Sequence, residues 1–132
     1  MKPKIALISI FTDNYENMVA FYRDVVGFEV AFEMGQYVEF KNEGVRFAVC
    51  AMDVMVQTVA HPSFKEPRSG QPFELAFDVT SPVEVNKVYS ELIGKGATPV
   101  QGPADMPWNQ RTAFFADPDG NIHEIFADFP QD

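Results

Sequence analysis

Hydrophobic and polar residues follow two different spacings along this chain. Short apolar runs rich in β-branched and aromatic residues predict strands at residues 5–11, 28–34, 36–40 and 45–51. Between residues 18 and 26 the apolar positions recur every three or four residues, which is the spacing of an amphipathic helix. Gly27 follows as a helix terminator, so the first half is predicted as β-α-β-β-β.

The same order of elements starts again at residue 73. Residues 73–79 predict a strand, and Ser81, Pro82 and Glu84 form the N-cap, first position and capping box of a helix that ends at Gly94 and Gly96. A short strand at 97–100, a loop at 101–110 and a hairpin of residues 111–116 and 121–127 complete the second half.

A tandem repeat therefore organises the chain. We predict one α+β domain, with a first module at about 1–52, a linker at about 53–71 and a second module at about 72–128. Within the linker, the apolar residues at 55–59 predict either one helical turn or a short strand. Pseudo-twofold symmetry would bring four equivalent strand positions towards one cleft, and these positions are Leu7, Ala48, Glu74 and Glu124.

The amino-acid composition argues against several classes of function. The chain has 132 residues, of which 46% are hydrophobic and 14% aromatic, enough for a packed core and a ring-lined pocket. A net charge of -9 with few, scattered basic residues argues against a nucleic-acid surface, and it favours cationic ligands or serves solubility alone. There is no apolar run long enough to span a membrane and no signal-peptide pattern at the N-terminus, and the single cysteine fits a reducing cytoplasm.

Three sequence segments carry a family resemblance. They are Phe21-Tyr22 before Val26-Gly27-Phe28, Pro107-Trp108-Asn109-Gln110-Arg111, and the turn Asp117-Pro118-Asp119-Gly120-Asn121 before Glu124. Together with the paired β-α-β-β-β units, they resemble the vicinal oxygen chelate superfamily, which contains glyoxalases, bleomycin-resistance proteins and extradiol dioxygenases. The middle segment is similar to that of bleomycin-resistance-like members. The resemblance implies a partly open, glyoxalase-like barrel with the helices outside, and a homodimer with ligand clefts near or across the interface.

The resemblance also implies where a metal would bind. Metal-using members draw histidine and glutamate ligands from the four symmetric strand positions, which here are Leu7, Ala48, Glu74 and Glu124. The first two have no donor atom. Two carboxylates make a weak site for zinc, nickel or iron, although they could hold magnesium or manganese together with waters. We therefore favour no cofactor and keep a divalent metal on Glu74 and Glu124 as the alternative.

Our leading functional hypothesis is a metal-independent binding protein of the bleomycin-resistance-like kind. Glu74 and Glu124 would attract an aromatic or cationic compound in an acidic cleft. The alternative is a divergent lyase, isomerase or dioxygenase with a metal held by the same two residues, and Glu124 as its catalytic acid or base. A third hypothesis is that the natural ligand is an ordinary metabolite unrelated to resistance.

Three further residues are candidate ligand contacts. Trp108, in a proline-rich loop beside the last hairpin, serves either as a stacking platform or as a core or interface residue. Arg111 either pairs with a carboxylate, binds an anionic ligand or is a surface strand residue. Cys50 shares a strand face with Ala48 and so faces the cleft, where a buried, inert thiol is expected.

The two histidines are not predicted to bind metal. His123 is adjacent to Glu124, so strand alternation sends it to the opposite face. His61 lies in the linker before Pro62 and would reach a site only if the linker folded over the cleft. The chain has no Ser-His-Asp arrangement, phosphate loop or Cys-x-x-Cys motif, so nucleophilic catalysis and nucleotide binding have no support.

Overall fold

The structure is a computed structural model that describes residues 1–131. The chain divides into two compact units, Met1–Ser69 (unit 1) and Gly70–Asp132 (unit 2), and each is described by itself. Within the described residues, none of the helices is long and apolar enough to cross a membrane.

Unit 1 contains the first β-α-β-β-β repeat. Its elements are β1 (Leu7–Thr12), α1 (Tyr15–Ala20) continued by a π-helical segment (Phe21–Val26), β2 (Val30–Glu33), β3 (Tyr37–Phe40) and β4 (Arg46–Ala51). The sheet order is β1-β4-β3-β2, with β1 parallel to β4 and the other neighbours antiparallel. After β4 come α2 (Met52–Thr58) and a 3-10 helix (Pro62–Lys65).

The core of unit 1 lies between the helix and one face of the sheet. Met18 and Tyr22 are fully buried, and the Tyr22 ring meets the Phe47 ring of β4 edge-on at 5.1 Å between centroids. The helical segment ends at Gly27, whose φ of 102° is left-handed, and the Gly27 N–H donates to the carbonyl oxygen of Tyr22. The predicted helix and its terminator are confirmed.

Unit 2 contains the second repeat. Its elements are β5 (Ala76–Asp78), α3 (Pro82–Gly94), β6 (Thr98–Met106), β7 (Gln110–Ala116) and β8 (Ile122–Asp128), and the sheet order is β5-β8-β7-β6. At the start of α3 the Ser81 hydroxyl accepts a hydrogen bond from the Glu84 N–H at 3.3 Å, as the cap pattern predicts. Val85 and Leu92 bury the apolar side of this helix.

The predicted α+β tandem repeat is confirmed, as two four-stranded mixed sheets; the strands within residues 1–131 form no closed barrel. One prediction is wrong, because most of the predicted loop at 101–110 belongs to β6. Pro103 and Pro107 suggested a loop, but Pro103 lies in β6, an edge strand whose pairing with β7 shifts register twice. An edge strand with bulges tolerates residues that lack an N–H donor.

Several other boundaries differ from the prediction. The first strand is residues 7–12 instead of 5–11, and β5 keeps only residues 76–78 of the predicted 73–79. In the linker, the helix α2 replaces the single helical turn or short strand that the apolar spacing suggested. Strand ends depend on pairing partners, which a local pattern does not contain.

Candidate functional site

The strand registers show which positions of the two repeats are equivalent. Ser9 of β1 pairs with Ala48 of β4, and Ala76 of β5 pairs with Glu124 of β8. Leu7 lies two residues before Ser9, just as Glu74 lies two residues before Ala76. The predicted equivalence of Ala48 with Glu124 follows from these pairings, since both parallel pairs join the first and last strands of a repeat.

One side of the sheet in unit 2 carries both predicted carboxylates. Because paired residues of neighbouring strands project to the same face, the registers group eight positions. Glu74, two residues before Ala76 in the segment that leads into β5, extends the group to nine, which we call the Glu124 face. They are Glu74, Ala76 and Asp78; Thr112, Phe114 and Ala116; and Ile122, Glu124 and Phe126. Three are acidic, two are phenylalanines and none is basic. This face can therefore offer negative charge beside aromatic surface.

Glu124 is the half-buried carboxylate at the centre of the Glu124 face. Its strand neighbours are Phe114 on β7 and Ala76 on β5. Burial raises the pKa of Glu124 above its ordinary value, and the negative charge of Glu74 raises it further. The two predicted site carboxylates therefore interact electrostatically, and Glu124 holds its proton more tightly than an exposed glutamate.

Hydrogen bonds to β8 hold the segment that leads into β5. The Nδ1 atom of His123 accepts a hydrogen bond from the Leu75 N–H at 3.1 Å, and the Glu124 N–H donates to the Leu75 carbonyl at 2.9 Å. Upstream, the Gln71 side-chain oxygen accepts from the Ile122 N–H at 3.2 Å. Glu74 lies between these two attachments. Sequence reasoning missed both, because a local pattern does not show contacts between residues about fifty positions apart.

His123 lies on the face opposite Glu124, as strand alternation predicts. Its ring is fully buried among the rings of Phe73, Phe77 and Phe115, with centroid separations of 5.8–6.3 Å. Because the Leu75 N–H donates to Nδ1, a neutral ring carries its proton on Nε2. That nitrogen lies 3.7 Å from Oδ2 of Asp117. His123 is thus a buried structural residue directly behind the Glu124 face.

The turn between β7 and β8 is held by Asp117. Its Oδ1 accepts from the N–H groups of Asp119 and Asn121 at 3.0 and 2.9 Å, and its Oδ2 accepts from the Asn121 side chain at 2.7 Å. Gly120 has a φ of 83°, a left-handed conformation that favours glycine. This turn sets the register that places Phe114 opposite Glu124.

Trp108 lies in the turn between β6 and β7, outside the nine positions of the Glu124 face. Its side chain is 61% exposed, and its indole N–H donates to the Gln110 side-chain oxygen at 3.0 Å. The polar atom of the indole is therefore satisfied within the turn, while much of the ring surface is open to a partner or ligand.

Arg111 points away from the Glu124 face. Its Nε donates to Oδ1 of Asn86 on α3 at 2.9 Å, and its Nη1 donates to Oδ1 of Asp105 at 2.7 Å. Its strand neighbour Thr112 belongs to the Glu124 face, so Arg111 faces the α3 side of the sheet. Of the roles considered for Arg111, pairing with a carboxylate is the one that the geometry provides.

The sequence of this chain matches a known protein superfamily. The profile of the Glyoxalase/Bleomycin resistance protein/Dioxygenase superfamily matches residues 4–125. The chain belongs to this superfamily. It is 29% identical over 128 residues to the uncharacterized protein YraH of Bacillus subtilis, and the match covers 93% of this chain and 97% of YraH.

Solved structures of superfamily members agree with the fold. A glyoxalase/bleomycin resistance protein/dioxygenase from Nocardioides superimposes with a TM-score of 0.87 and 30% identity, over 100% of this chain and 87% of that protein. A family enzyme from Burkholderia phytofirmans has a TM-score of 0.84 and 25% identity, over 96% and 100% of the two chains. Lactoylglutathione lyase from Agrobacterium tumefaciens is similar in fold alone, with a TM-score of 0.71 and 23% identity over 93% and 92%.

Membership of this superfamily raises the question of a divalent metal. Across residues 1–131, no group of three or more His, Cys, Asp or Glu side chains is arranged to hold a metal ion. The four symmetric positions supply only the carboxylates of Glu74 and Glu124, since Leu7 and Ala48 have no donor atoms. This donor set does not fit a zinc, nickel or iron centre, each of which favours imidazole ligands.

The unit 1 candidates share a strand face, and the linker contacts the end of that face at Phe11. Ala48 and Cys50 are 0% and 3% exposed, and Leu7 is 37% exposed. The ring of Phe64, from the 3-10 helix of the linker, meets the ring of Phe11 edge-on at 5.7 Å. Phe11 is the strand partner of Cys50, so the linker packs on their common face. Burial raises the pKa of the Cys50 thiol, in keeping with the inert thiol that we expected.

Unit 1 carries a buried carboxylate that sequence reasoning missed. Glu39 of β3 lies opposite Ala48 and is 5% exposed. Its carboxylate accepts from Nε and Nη2 of Arg46 at 2.5 and 3.0 Å and from the Tyr37 hydroxyl at 3.1 Å. The Arg46 hydrogen bonds are the main cause that lowers the pKa of Glu39. The sequence signal was present, since Glu39 and Arg46 have opposite charges on the two strands of one hairpin.

A separate cavity of about 430 Å³ is formed by unit 1 residues alone. It is lined by residues 12–17, Gln36 and residues 51–53, which include Asp13, Glu16 and Asp53 but no basic side chain. Burial, followed by the charge of Glu33, raises the pKa of Tyr15 at this cavity to about 12. None of the predicted site residues lines this cavity.

Proposed function

We propose that this superfamily member binds a small cationic, aromatic compound at the Glu124 face and needs no resident metal to do so. The observation that carries the proposal is the half-buried Glu124, which interacts with Glu74 and lies directly opposite Phe114. The chain's net charge of -9 adds a long-range field of the same sign.

A cation would relieve the electrostatic strain at this face. The negative charge of Glu74 disfavours the ionised form of Glu124, and a bound ammonium group would favour it. Because Glu124 is half-buried, its attraction to a cation is screened less than at an open surface. Phe114 and Phe126 offer ring surface on the same face, where an aromatic contact contributes about 0.5–1.5 kcal/mol beyond area burial.

Enzymatic proton transfer is the second candidate function. The raised pKa of Glu124 favours it, because a carboxyl that holds its proton nearer to neutrality is a better general acid or base. A lyase, isomerase or dioxygenase of this kind would use Glu124 as the proton-transferring group. If it used a metal, Glu74 and Glu124 would need further ligands from water or substrate, as magnesium and manganese sites often have.

The test is a thermal-melt series with three ring compounds that differ in charge. Benzylamine, benzyl alcohol and benzoate are each added to the full chain at pH 7, with Glu124→Gln and the exposed helix variant Glu91→Gln as a matched control. The proposal expects benzylamine to stabilise the wild type and Glu91→Gln most, with the benzylamine effect lost in Glu124→Gln. Equal effects of benzylamine and benzyl alcohol would refute the role of charge.

Assembly and cellular role stay predictions. We expect a homodimer in the cytoplasm, and light scattering at several protein concentrations measures the oligomeric state directly. A bleomycin-resistance-like role requires that a basic, aromatic drug compete with benzylamine for the Glu124 face. Loss of direct drug binding in Glu124→Gln, but not in Glu91→Gln, would connect the drug to the face.

A further inference from the structure

A buried carboxylate fixes the guanidinium of Arg46 in unit 1. The side chain of Glu39 is 7% exposed, whereas that of Arg46 is 56% exposed. Both oxygens of Glu39 accept from Arg46, through Nε and Nη2, and the Tyr37 hydroxyl adds a third hydrogen bond to Glu39. The backbone of Arg46 is also held, because its N–H donates to the Ala6 carbonyl at 3.0 Å.

Within residues 1–131, no hydrogen bond joins Nη1 of Arg46 to the protein, and the Tyr37 hydroxyl is close enough to the guanidinium to help raise the pKa of Arg46. Glu39 uses the Nε and Nη2 side of the planar group. Nη1 together with the second N–H of Nη2 forms a fork of the shape that binds a carboxylate through two parallel hydrogen bonds.

We propose that Arg46 is an anion-binding residue of unit 1, which takes the carboxylate of a ligand with an apolar body. The paired Glu39 has already restricted the rotamers of Arg46, so a ligand loses less side-chain freedom than it would at a flexible arginine. Leu7 is the strand partner of Arg46 and is 37% exposed, which places apolar surface beside the fork. This site is independent of the function proposed for the Glu124 face.

The charge of Glu39 makes the proposal sharply testable. Glu39 partly neutralises Arg46, so an account based on net charge predicts that Glu39→Gln strengthens anion binding. An account based on a fixed fork predicts the opposite, because an amide replaces one acceptor oxygen by an NH2 donor and so cannot form the two parallel hydrogen bonds that a carboxylate makes with a guanidinium. The sign of the change therefore separates the two accounts.

The experiment is a titration of the full chain with sodium benzoate, followed by the side-chain Nε–H resonances of its arginines in NMR spectra. Arg23 is the internal control, since it makes the same Nε and Nη2 pair with Asp24, but both partners are exposed. We expect benzoate to perturb Arg46 and not Arg23, with acetate weaker than benzoate. In a parallel calorimetric titration with benzoate, we expect Arg46→Lys to weaken binding about tenfold, because lysine keeps the charge and loses the fork.

Two outcomes would overturn the proposal. One is an equal response of Arg23 and Arg46 to benzoate, and the other is tighter benzoate binding by Glu39→Gln. If Glu39→Gln does not fold, Arg46→Lys decides alone, since its side chain is mostly exposed and the substitution keeps the charge beside Glu39. Unchanged benzoate affinity in Arg46→Lys would then contradict the site.

Discussion

The Nδ1 atom of His123 accepts a hydrogen bond from the backbone N–H of Leu75 at 3.1 Å. Each of these residues is the neighbour of a candidate site carboxylate, because Glu74 precedes Leu75 and Glu124 follows His123. A buried imidazole therefore ties together the two chain segments that carry the acidic pair. The same two segments are joined by the Glu124 N–H, which donates to the Leu75 carbonyl at 2.9 Å.

Replacing His123 should release the Leu75 amide. His123→Gln places its amide group near the position of Nε2 and loses the acceptor, which should cost about 1–3 kcal/mol of unfolding free energy. His123→Asn places an oxygen near the position of Nδ1 and should keep the hydrogen bond, with a loss of ring packing only. Hydrogen exchange at the Leu75 amide measures the difference, with faster exchange in the Gln variant. Wild-type exchange in both variants would show that the hydrogen bond does not protect this amide.

The raised pKa of Glu124 should make stability fall with rising pH. The folded protein holds this proton more tightly than the unfolded chain, so deprotonation favours unfolding as pH rises from the ordinary glutamate value to the folded-state value. Glu124→Gln should remove that decrease, and Glu74→Gln should reduce it, since Glu74 is the secondary cause of the shift. Urea unfolding between about pH 4 and 8 measures this dependence. A decrease as large in Glu124→Gln as in Glu91→Gln would contradict the assignment.

The structural features that depend on the local sequence pattern were predicted correctly. The repeat, the helix terminator Gly27 and the opposite orientation of His123 and Glu124 all follow from periodicity and residue type. The local pattern did not predict the partners of His123 or the pairing of Glu39 with Arg46. Those contacts depend on strand register, which is set by contacts across the whole unit. The strand predicted at 97–100 was too short for the same reason, because β6 continues to Met106 through a proline that is tolerated only at a sheet edge.

Removing Arg46 should destabilise the protein more than removing Arg23. In Arg46→Met the buried carboxylate of Glu39 keeps only the Tyr37 hydrogen bond, so we expect a lower free energy of unfolding at neutral pH. Arg23→Met breaks a pair in which both partners are exposed, so its effect should be smaller and close to neutral. Denaturant unfolding measures both.

The Arg46 effect should also depend on pH. The lowered pKa of Glu39 contributes stability that is present above the ordinary glutamate value and is lost as pH falls through the folded-state value. The gap between wild type and Arg46→Met should therefore narrow in acid. A gap that stays constant from neutral to acidic pH would assign the loss to packing instead.

The turn after β7 should be sensitive to a Cβ at one glycine. Gly120→Ala should cost about 1–2 kcal/mol, because the φ of 83° is strained for any residue with a Cβ, although no heavy atom lies within 4 Å of one built there. Gly102→Ala in β6 is the matched control, with equally open surroundings and no left-handed φ, and it should be close to neutral. Thermal melts of the two variants separate backbone strain from crowding, and equal melting temperatures would contradict the strain.

The central claim is that Glu124 binds a cationic ligand without a metal. Its most direct test is a calorimetric titration of benzylamine into the wild type and Glu124→Gln, each with excess EDTA and again with added manganese. We predict the same benzylamine affinity in EDTA and in manganese for the wild type, and about tenfold weaker binding for Glu124→Gln in both. Binding that appears only with manganese, or that is unchanged in Glu124→Gln, would contradict the account.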